Sequence, residues 1–388
     1  MQKEYFIPVE EFKERITKTQ QAMRLKDIDL LLAFSTESEP ANVRYYADYW
    51  PSFETTAVLI PADGEPTLLI GPECLTVATA RSKIKKIVQL IDFRESSQPE
   101  YPGSKLPTWN DVLAEFKPRN LGIAGWHMFP YSIMENLRAA AGSNCKISNA
   151  DEIVRGLCMK KSENELNCLR EAARISELGL KAVLENIKPG MTEVQIVGLA
   201  TAAMLANGAE TTAYPVWCCS GPNSTQAISR PSQRKVQTGE IIHLSVGAKV
   251  SGYSGSIGRP IVLGKCPDAT RKFMQVGLDA MKLTIDNMRA GTLASEVAKK
   301  THGFIREQGY GHTILYGPAH GCGQMECEFP FLETSSKYTL EENMVFMIDV
   351  FLAEKDMGFR WEDGVIIRSG APEELSSYKR QLNILEVK

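Results

Sequence analysis

Four short stretches carry most of the side chains that could do proton chemistry together: IIHLSVGAKVSGYSGSIGR at 241–259, AHGCG at 319–323, FMIDVF at 346–351 and FRWEDGVII at 359–367. Alternating apolar and polar residues mark each as part of a strand, with glycines where chains turn or approach closely. His320 sits between Ala319 and a Gly-Cys-Gly run, and a neutral imidazole there takes or gives a proton near pH 7. Glu362 follows Arg360 by two residues, so both face one side of a strand, where Glu362 is either a general base or acid or half of an ion pair. Asp349 follows Val345 and Met347 in alternation and points the same way into an apolar setting. Carboxylates crowded without a cation repel, so one of them holds a proton at neutral pH. Ser245 and Ser256 offer hydroxyl donors, and Arg259 is either a carboxylate clamp or a structural partner. Tyr253, Glu326 and Trp361 are further pocket candidates, and His243 is either a base on the face of Ser245 or a core residue.

These islands resemble the creatinase/prolidase family, whose C-terminal domain has the pita-bread fold. Its metal-using members carry an Asp in Asp-x-Gly-Ala, a second Asp eleven positions on, a His in His-Gly-x-Gly and two later glutamates. Here Ser245-Val246-Gly247-Ala248 occupies the first motif and Gly255-Ser256-Ile257-Gly258-Arg259 the second, and 256 − 245 gives the same eleven-residue spacing. His320-Gly321-Cys322-Gly323 keeps the histidine, Asp349 stands for the first glutamate, and Arg360-Trp361-Glu362-Asp363 keeps the second. Other positions depart. Ile228 falls where creatinase has a histidine, Gly258 where it has a glutamate, and Cys327 where prolidases have a second histidine.

Serine at both aspartate positions sets the expectation about cofactors. Two divalent cations about 3.5–4 Å apart need anionic oxygens to offset their repulsion, and hard ions prefer carboxylates to hydroxyls. The expectation is therefore no metal cofactor, with a single divalent ion at His320, Asp349 and Glu362 as the alternative.

Positioning these groups requires a framework of strands and helices, and the chain supplies two. At 388 residues it is long for one core. Residues 10–26 have helical spacing of Phe12, Ile16 and Met23, residues 28–34 read as a buried parallel strand, and 55–71 reads as a hairpin about an Asp-Gly turn. Asn42–Tyr46 and Trp50-Pro51 read as a loop after the first strand. The resemblance implies that this region helps form a homodimer and reaches the partner's active site; otherwise it is solvated loop with aromatic packing. Ser162 with Glu165 and Thr192 with Gln195 form capping boxes that open two helices. A second pair, at about 268–288 and from about Ser295, repeats the order helix, glycine, helix, strands, with Gly190 and Gly291 101 residues apart. The expected fold is mixed α/β (α+β). It has a creatinase-like N-terminal α/β domain over 1–155 and a pita-bread domain over 156–388.

Composition excludes several classes. A net charge of −3, with no basic cluster interleaved with aromatics, argues against nucleic acid. No apolar run approaches 18 residues and the N-terminal stretch lacks a signal-peptide core, so the expectation is a soluble cytoplasmic protein. Nine cysteines show no paired knuckles and read as reduced packing residues, with Cys218-Cys219 as neighbours on opposite strand faces.

The resulting functional expectation is a metal-independent, creatinase-like hydrolase cleaving a C–N bond in a small amide, amidine or cyclic urea-like compound. Glu362 would activate water, His320 would shuttle the proton, and Asp349 with Arg259 or Arg360 would orient substrate. A metal-dependent Xaa-Pro aminopeptidase or dipeptidase and a non-catalytic binding protein on the same scaffold are the alternatives.

Overall fold

The computed structural model describes residues 5–387. The chain divides into two compact units, one of Ile7–Cys158 and one formed from Met159 onward.

The first unit runs α1 (Val9–Leu25), β1 (Leu30–Ser35), α2 (Ala41–Ala47), β2 (Thr56–Pro61), β3 (Thr67–Ile70), α3 (Leu75–Arg81), β4 (Ile87–Gln89), α4 (Trp109–Leu113), β5 (Asn120–Ala124), α5 (Tyr131–Ala141), β6 (Lys146–Asn149) and α6 (Asp151–Cys158). Its six strands form one sheet in the order β4-β3-β2-β1-β5-β6. β1 is parallel to β5 and antiparallel to β2, and all six of its residues are buried because both faces of the sheet are covered. The expected hairpin is β2 and β3, paired antiparallel. The region after β1 is a helix, not a loop. α2 begins after Pro40, and the Val43 amide donates to Ser35 Oγ at 3.0 Å. Its Tyr45 and Tyr46 are buried, so the short apolar face of Val43, Tyr46 and Ala47 packs it into the core.

The second unit opens with α7 (Glu163–Asn186) and α8 (Glu193–Ala206), whose Ser162–Glu165 and Thr192–Gln195 capping boxes are both formed. There follow β7 (Thr211–Thr212), β8 (Trp217–Ser220), β9 (Ile241–Val250), β10 (Tyr253–Leu263), α9 (Asp268–Asn287) and α10 (Ala294–Glu307). The unit closes with β11 (Ala319–Gly321), β12 (Glu328–Leu332), β13 (Val345–Glu354), β14 (Met357–Ile366), β15 (Glu373–Glu374) and β16 (Asn383–Leu385). One ten-stranded sheet has the backbone order β12-β11-β13-β14-β10-β9-β7, with β8 also pairing with β9, β15 with β14 and β16 with β10. Gly190 and Gly291 both lie in the left-handed region, at φ 85° and 91°, and each ends a turn between the two helices of its pair. The order helix, glycine turn, helix therefore recurs in the structure.

α7 lies against β10 so closely that a side chain at Gly255 would strike the backbone of Ala172 and Ala173. α9 approaches β14 in the same way: Gly277 leaves room for Phe359, and Trp361 Nε1 donates to Met274 O at 3.0 Å. α9 and α10 cover the sheet with an apolar cluster that includes Phe273, Met281, Phe359 and Trp361, and α7 adds a second one with Ile175 and Leu180. That packing leaves the opposite face of the same strands for polar side chains.

Candidate active site

Strand register decides which side chains meet. Ser245 of β9 stands opposite Gly258 of β10, and Ser256 opposite Gly247. Gly258 stands opposite Glu362 of β14, Glu362 opposite Asp349 of β13, and Arg360 opposite Phe351. His320 of β11 stands opposite Met347, two residues before Asp349. Cross-strand partners share a face, as do residues two apart, so Ser245, Ser256, His320, Asp349, Arg360 and Glu362 all project to one side. Gly258 is what allows this crowding: a Cβ there would come within 2.7 Å of Glu362 Cβ and 2.9 Å of Ser245 Oγ.

The contacts divide into two groups. In the first, Asp349 is held by Arg360, with Nε 2.8 Å from Oδ1, and accepts from Tyr316 OH at 2.9 Å on Oδ2. Arg360 Nη2 donates to Tyr316 OH at 2.8 Å and to Ala227 O at 3.0 Å, and its guanidinium lies over the Trp217 ring at 4.5 Å. Burial opposes the Arg360 charge, but Asp349, Tyr316 and Glu362 outweigh it and raise the pKa further. In the second group, Ser256 donates to Glu362 Oε1, and Tyr214 OH lies 2.6 Å from Ser256 Oγ. With the serine hydrogen committed to Glu362, Tyr214 donates to Ser256. Ser245 Oγ lies 3.4 Å from His243 Nε2. Burial and then the charge of Glu326 push the Glu362 carboxyl well above its ordinary range.

Glu326 and His320 lie between these groups. His320 Nε2 is 3.8 Å from Glu326 Oε1 and 4.0 Å from Asp349 Oδ2, while Nδ1 is bonded to Gly321 O at 3.0 Å. Burial raises the Glu326 carboxyl to about 7; the Asp349 charge adds to this, and the Glu362 hydrogen bond and Arg360 oppose it. Burial alone would lower the pKa of His320, yet hydrogen bonding to Cys327 and the charges of Cys327 and Asp349 raise it to about 9. His243 is driven the other way, well below the usual imidazole value, by burial and by Arg360.

Three sequence-predicted site residues, Tyr253, Arg259 and Trp361, are not brought in. Tyr253 and Arg259 lie three residues on either side of Ser256 and so point to the helix-covered face. There Tyr253 OH donates to Glu165 Oε1 at 2.6 Å. Arg259 is completely buried: Nη2 contacts both oxygens of Asp363 at 2.9 and 3.0 Å, and Nη1 donates to Gly258 O and Glu362 O at 2.9 and 2.8 Å. Trp361 is on that face too. Conversely, Tyr214, Trp217, Tyr316 and Phe351 line the cleft without having been singled out. Strand pairing of Trp217 with Ser245 was the only route to that residue, and no spacing in the sequence reveals it.

A ten-stranded sheet covered by paired helices, with acid–base groups on its open face, defines a pita-bread hydrolase. Residues 167–369 match the model of metallopeptidase family M24, and residues 15–159 match that of the creatinase/prolidase N-terminal domain. The chain belongs to metallopeptidase family M24 and is a hydrolase acting on C–N bonds. It is 26% identical over 372 residues to a Xaa-Pro dipeptidase of Pyrococcus furiosus, covering 95% of this chain and 99% of that one. It is 25% identical over 360 residues to a Xaa-Pro dipeptidase of Lactobacillus delbrueckii subsp. lactis, covering 90% and 94%. In fold it matches the prolidase of Pyrococcus horikoshii OT3 at TM-score 0.82 and 24% identity, over 95% of this chain and 99% of that one.

Two expectations fall with these findings. Membership of a metallopeptidase family overturns the reading of a chain that needs no cofactor. Relatives that are Xaa-Pro dipeptidases overturn the metal-independent, creatinase-like cleavage of a small amide, amidine or cyclic urea-like compound, and favour the peptidase alternative. The side chains present do not fit a two-ion centre. Among the described residues, no three His, Cys, Asp or Glu side chains are gathered so as to hold a metal ion. Both oxygens of Asp349 are engaged by Arg360 and Tyr316, Glu362 is bonded by Ser256, and hydroxyls at 245 and 256 bring no charge.

Proposed function

We propose that this chain is a peptidase of the Xaa-Pro dipeptidase type, hydrolysing the peptide bond of a short peptide. The observation that carries this reading is the register that sets His320, Asp349 and Glu362 on the open face of the family's fold. In the proposed roles, Glu362 takes a proton from the attacking water and protonated His320 gives one to the departing nitrogen. Arg360 and Tyr316 hold Asp349, which keeps the imidazole charged and oriented. Ser245, Ser256 and Glu326 face the substrate. Metal dependence comes with the family, against the donor set of this cleft.

The same reading takes the two domains as 1–155 and 156–388, a division supported by the family match over 15–159, and the working form as a cytoplasmic homodimer, supported by the family resemblance. Among the described residues, no helix is long and apolar enough to cross a membrane. The test is turnover of Xaa-Pro dipeptides by the purified protein, with manganese or cobalt and after chelation. Hydrolysis in at least one of these metal states, lost in Glu362→Gln and His320→Ala, is expected. Absence of dipeptide hydrolysis in every metal state overturns the proposal.

A further inference from the structure

We infer that the N-terminal unit carries a second binding site, for a free medium-chain fatty acid in its carboxylate form. The site is a cavity of about 690 Å³ between α1 and the segment that leads into β4, and every residue lining it belongs to that unit. Clefts of roughly 300–1,000 Å³ are the size that takes a small organic ligand. The inference does not depend on the peptidase reading.

Both walls follow from local structure. Val9, Phe12, Ile16 and Gln20 recur at helical spacing, so one stripe of α1 forms a whole side of the cavity. Phe12, Ile16, Tyr46 and Ile84 are buried and make an apolar floor, which Val9, 44% exposed, extends to the surface. Gln20 Nε2 donates to Pro61 O at 3.0 Å and to Gly64 O at 2.9 Å, tying α1 to the β2–β3 turn. On the facing side the Lys83 amide donates to Ala47 O at 2.8 Å, and Lys86 O accepts from the Leu68 amide at 2.9 Å. A cavity with fixed walls costs little ordering when a ligand enters.

The rim sets the charge of the occupant. Lys13, Lys83, Lys85 and Lys86 line the cavity together with one carboxylate, Glu65. Lys83 is met by Asp48 at 3.2 Å and Lys86 by Glu115 at 2.7 Å. Among the described residues, Lys13 and Lys85 are paired with no carboxylate. Set against Glu65, they leave a surplus of one positive charge above an apolar floor. That surplus matches a monoanion with an alkyl body. A phosphate dianion would stay half compensated, and the described lining residues include no arginine to hold it bidentately. An alkylammonium would meet charge of its own sign. Each methylene moved from water onto the floor should tighten binding by about fourfold at most, so affinity should climb with chain length.

The test is calorimetric titration of the full chain at neutral pH with decanoate, kept below its micellar concentration, and with hexanoate, decylammonium and inorganic phosphate in parallel. Decanoate is expected to bind one to one, at least tenfold more tightly than hexanoate or decylammonium, and phosphate is expected not to bind. Decanoate should also slow amide exchange in residues 9–20 and 83–87. The exposed pair Lys13→Glu and Lys85→Glu together should weaken decanoate at least tenfold, with the ligand-free melting temperature within about 2 °C and dipeptide turnover unchanged. No saturable binding, uptake of several decanoates per chain, equal affinity for decylammonium, or protection confined to other segments would overturn the inference. So would affinity that survives the double lysine change, or capture by phosphatidylglycerol vesicles without binding of free decanoate. The comparison of decanoate with decylammonium needs no variant, so a misfolded substitution does not decide the outcome.

Discussion

Replacing Arg259 by methionine separates a structural arginine from a substrate clamp. The guanidinium is fully buried, paired with an equally buried Asp363, and donates to two strand carbonyls. Removing one partner of a buried ion pair costs about 3–5 kcal/mol, because the remaining charge has lost its compensation. Asp363 also holds Arg380, at 2.7 Å to Nε, which places the electrostatic loss near the lower end. The orphaned carbonyls of Gly258 and Glu362 add roughly 1 kcal/mol each, which returns the total to the upper part of that range. In a unit of this size each kcal/mol moves the melting temperature by about 2–4 °C, so a loss of about 4–5 kcal/mol should lower the midpoint by about 8–20 °C. Scanning calorimetry measures that fall, and kcat/KM per folded molecule, taken well below the new midpoint, should stay within about threefold. Arg259→Lys should lie between, since a single ammonium cannot reproduce the bidentate contact. An unchanged midpoint together with a tenfold loss of substrate affinity would refute the placement on the helix side of the sheet.

Three further outcomes follow from the same geometry. Glu326, raised to about 7, and His320, raised to about 9, both bind protons more tightly folded than unfolded. Stability from Glu326 is lost as pH rises from about 4.5 through 7, that from His320 is full below about 6.5 and lost through 9, and Glu326→Gln should flatten the lower part of the melting-temperature profile. Buried Glu193 accepts from the amides and hydroxyls of both Ser220 and Ser232 and from Asn223. Glu193→Ala should therefore cost on the order of 3 kcal/mol or more and speed amide exchange across 220–232. Restoring carboxylates with Ser245→Asp and Ser256→Asp together should destabilise the protein without divalent ions. Manganese at about 100 times its dissociation constant should then return about 2.7 kcal/mol beyond any effect on the unaltered chain; no manganese-dependent gain would contradict the donor argument.

What the sequence revealed of this cleft was its strand-borne half. Period-two alternation fixes a face, so spacing alone puts Arg360 and Glu362 together, the resemblance to the family adds Asp349 from the neighbouring strand, and the capping boxes locate both helix starts. The same rule applied between residues of one strand would have removed Arg259 and Tyr253, since each is an odd number of positions from Ser256. Their chemical types suggested a site that parity forbids. Loop-borne groups were harder. Tyr316 lies before β11 and Tyr214 before β8, and neither has a periodic neighbour to report its direction. Asn42–Tyr46 reads as loop in the sequence because a helix of seven residues has too few turns to show a pattern, and burial of Tyr45 and Tyr46 holds the helix by packing.

The two serines are understandable once the charges of the cleft are counted. Asp349 and Arg360 cancel, and both are buried. With His320 protonated and one proton shared between Glu326 and Glu362, the remaining positive and negative charges also cancel, and the cleft is neutral near pH 7. Aspartates at 245 and 256 would add two negative charges beside Glu362, which only a further cation could offset. Hydroxyls keep the hydrogen bonds of those positions, Ser256 to Glu362 and Ser245 toward His243, without that charge. Glu326 places one acidic oxygen close to the histidine, 3.8 Å from its Nε2. The hydroxyls at 245 and 256 and the carboxyl at 326 therefore act together, and changing any one alone should disturb the protonation of the other carboxyls more than it disturbs the fold.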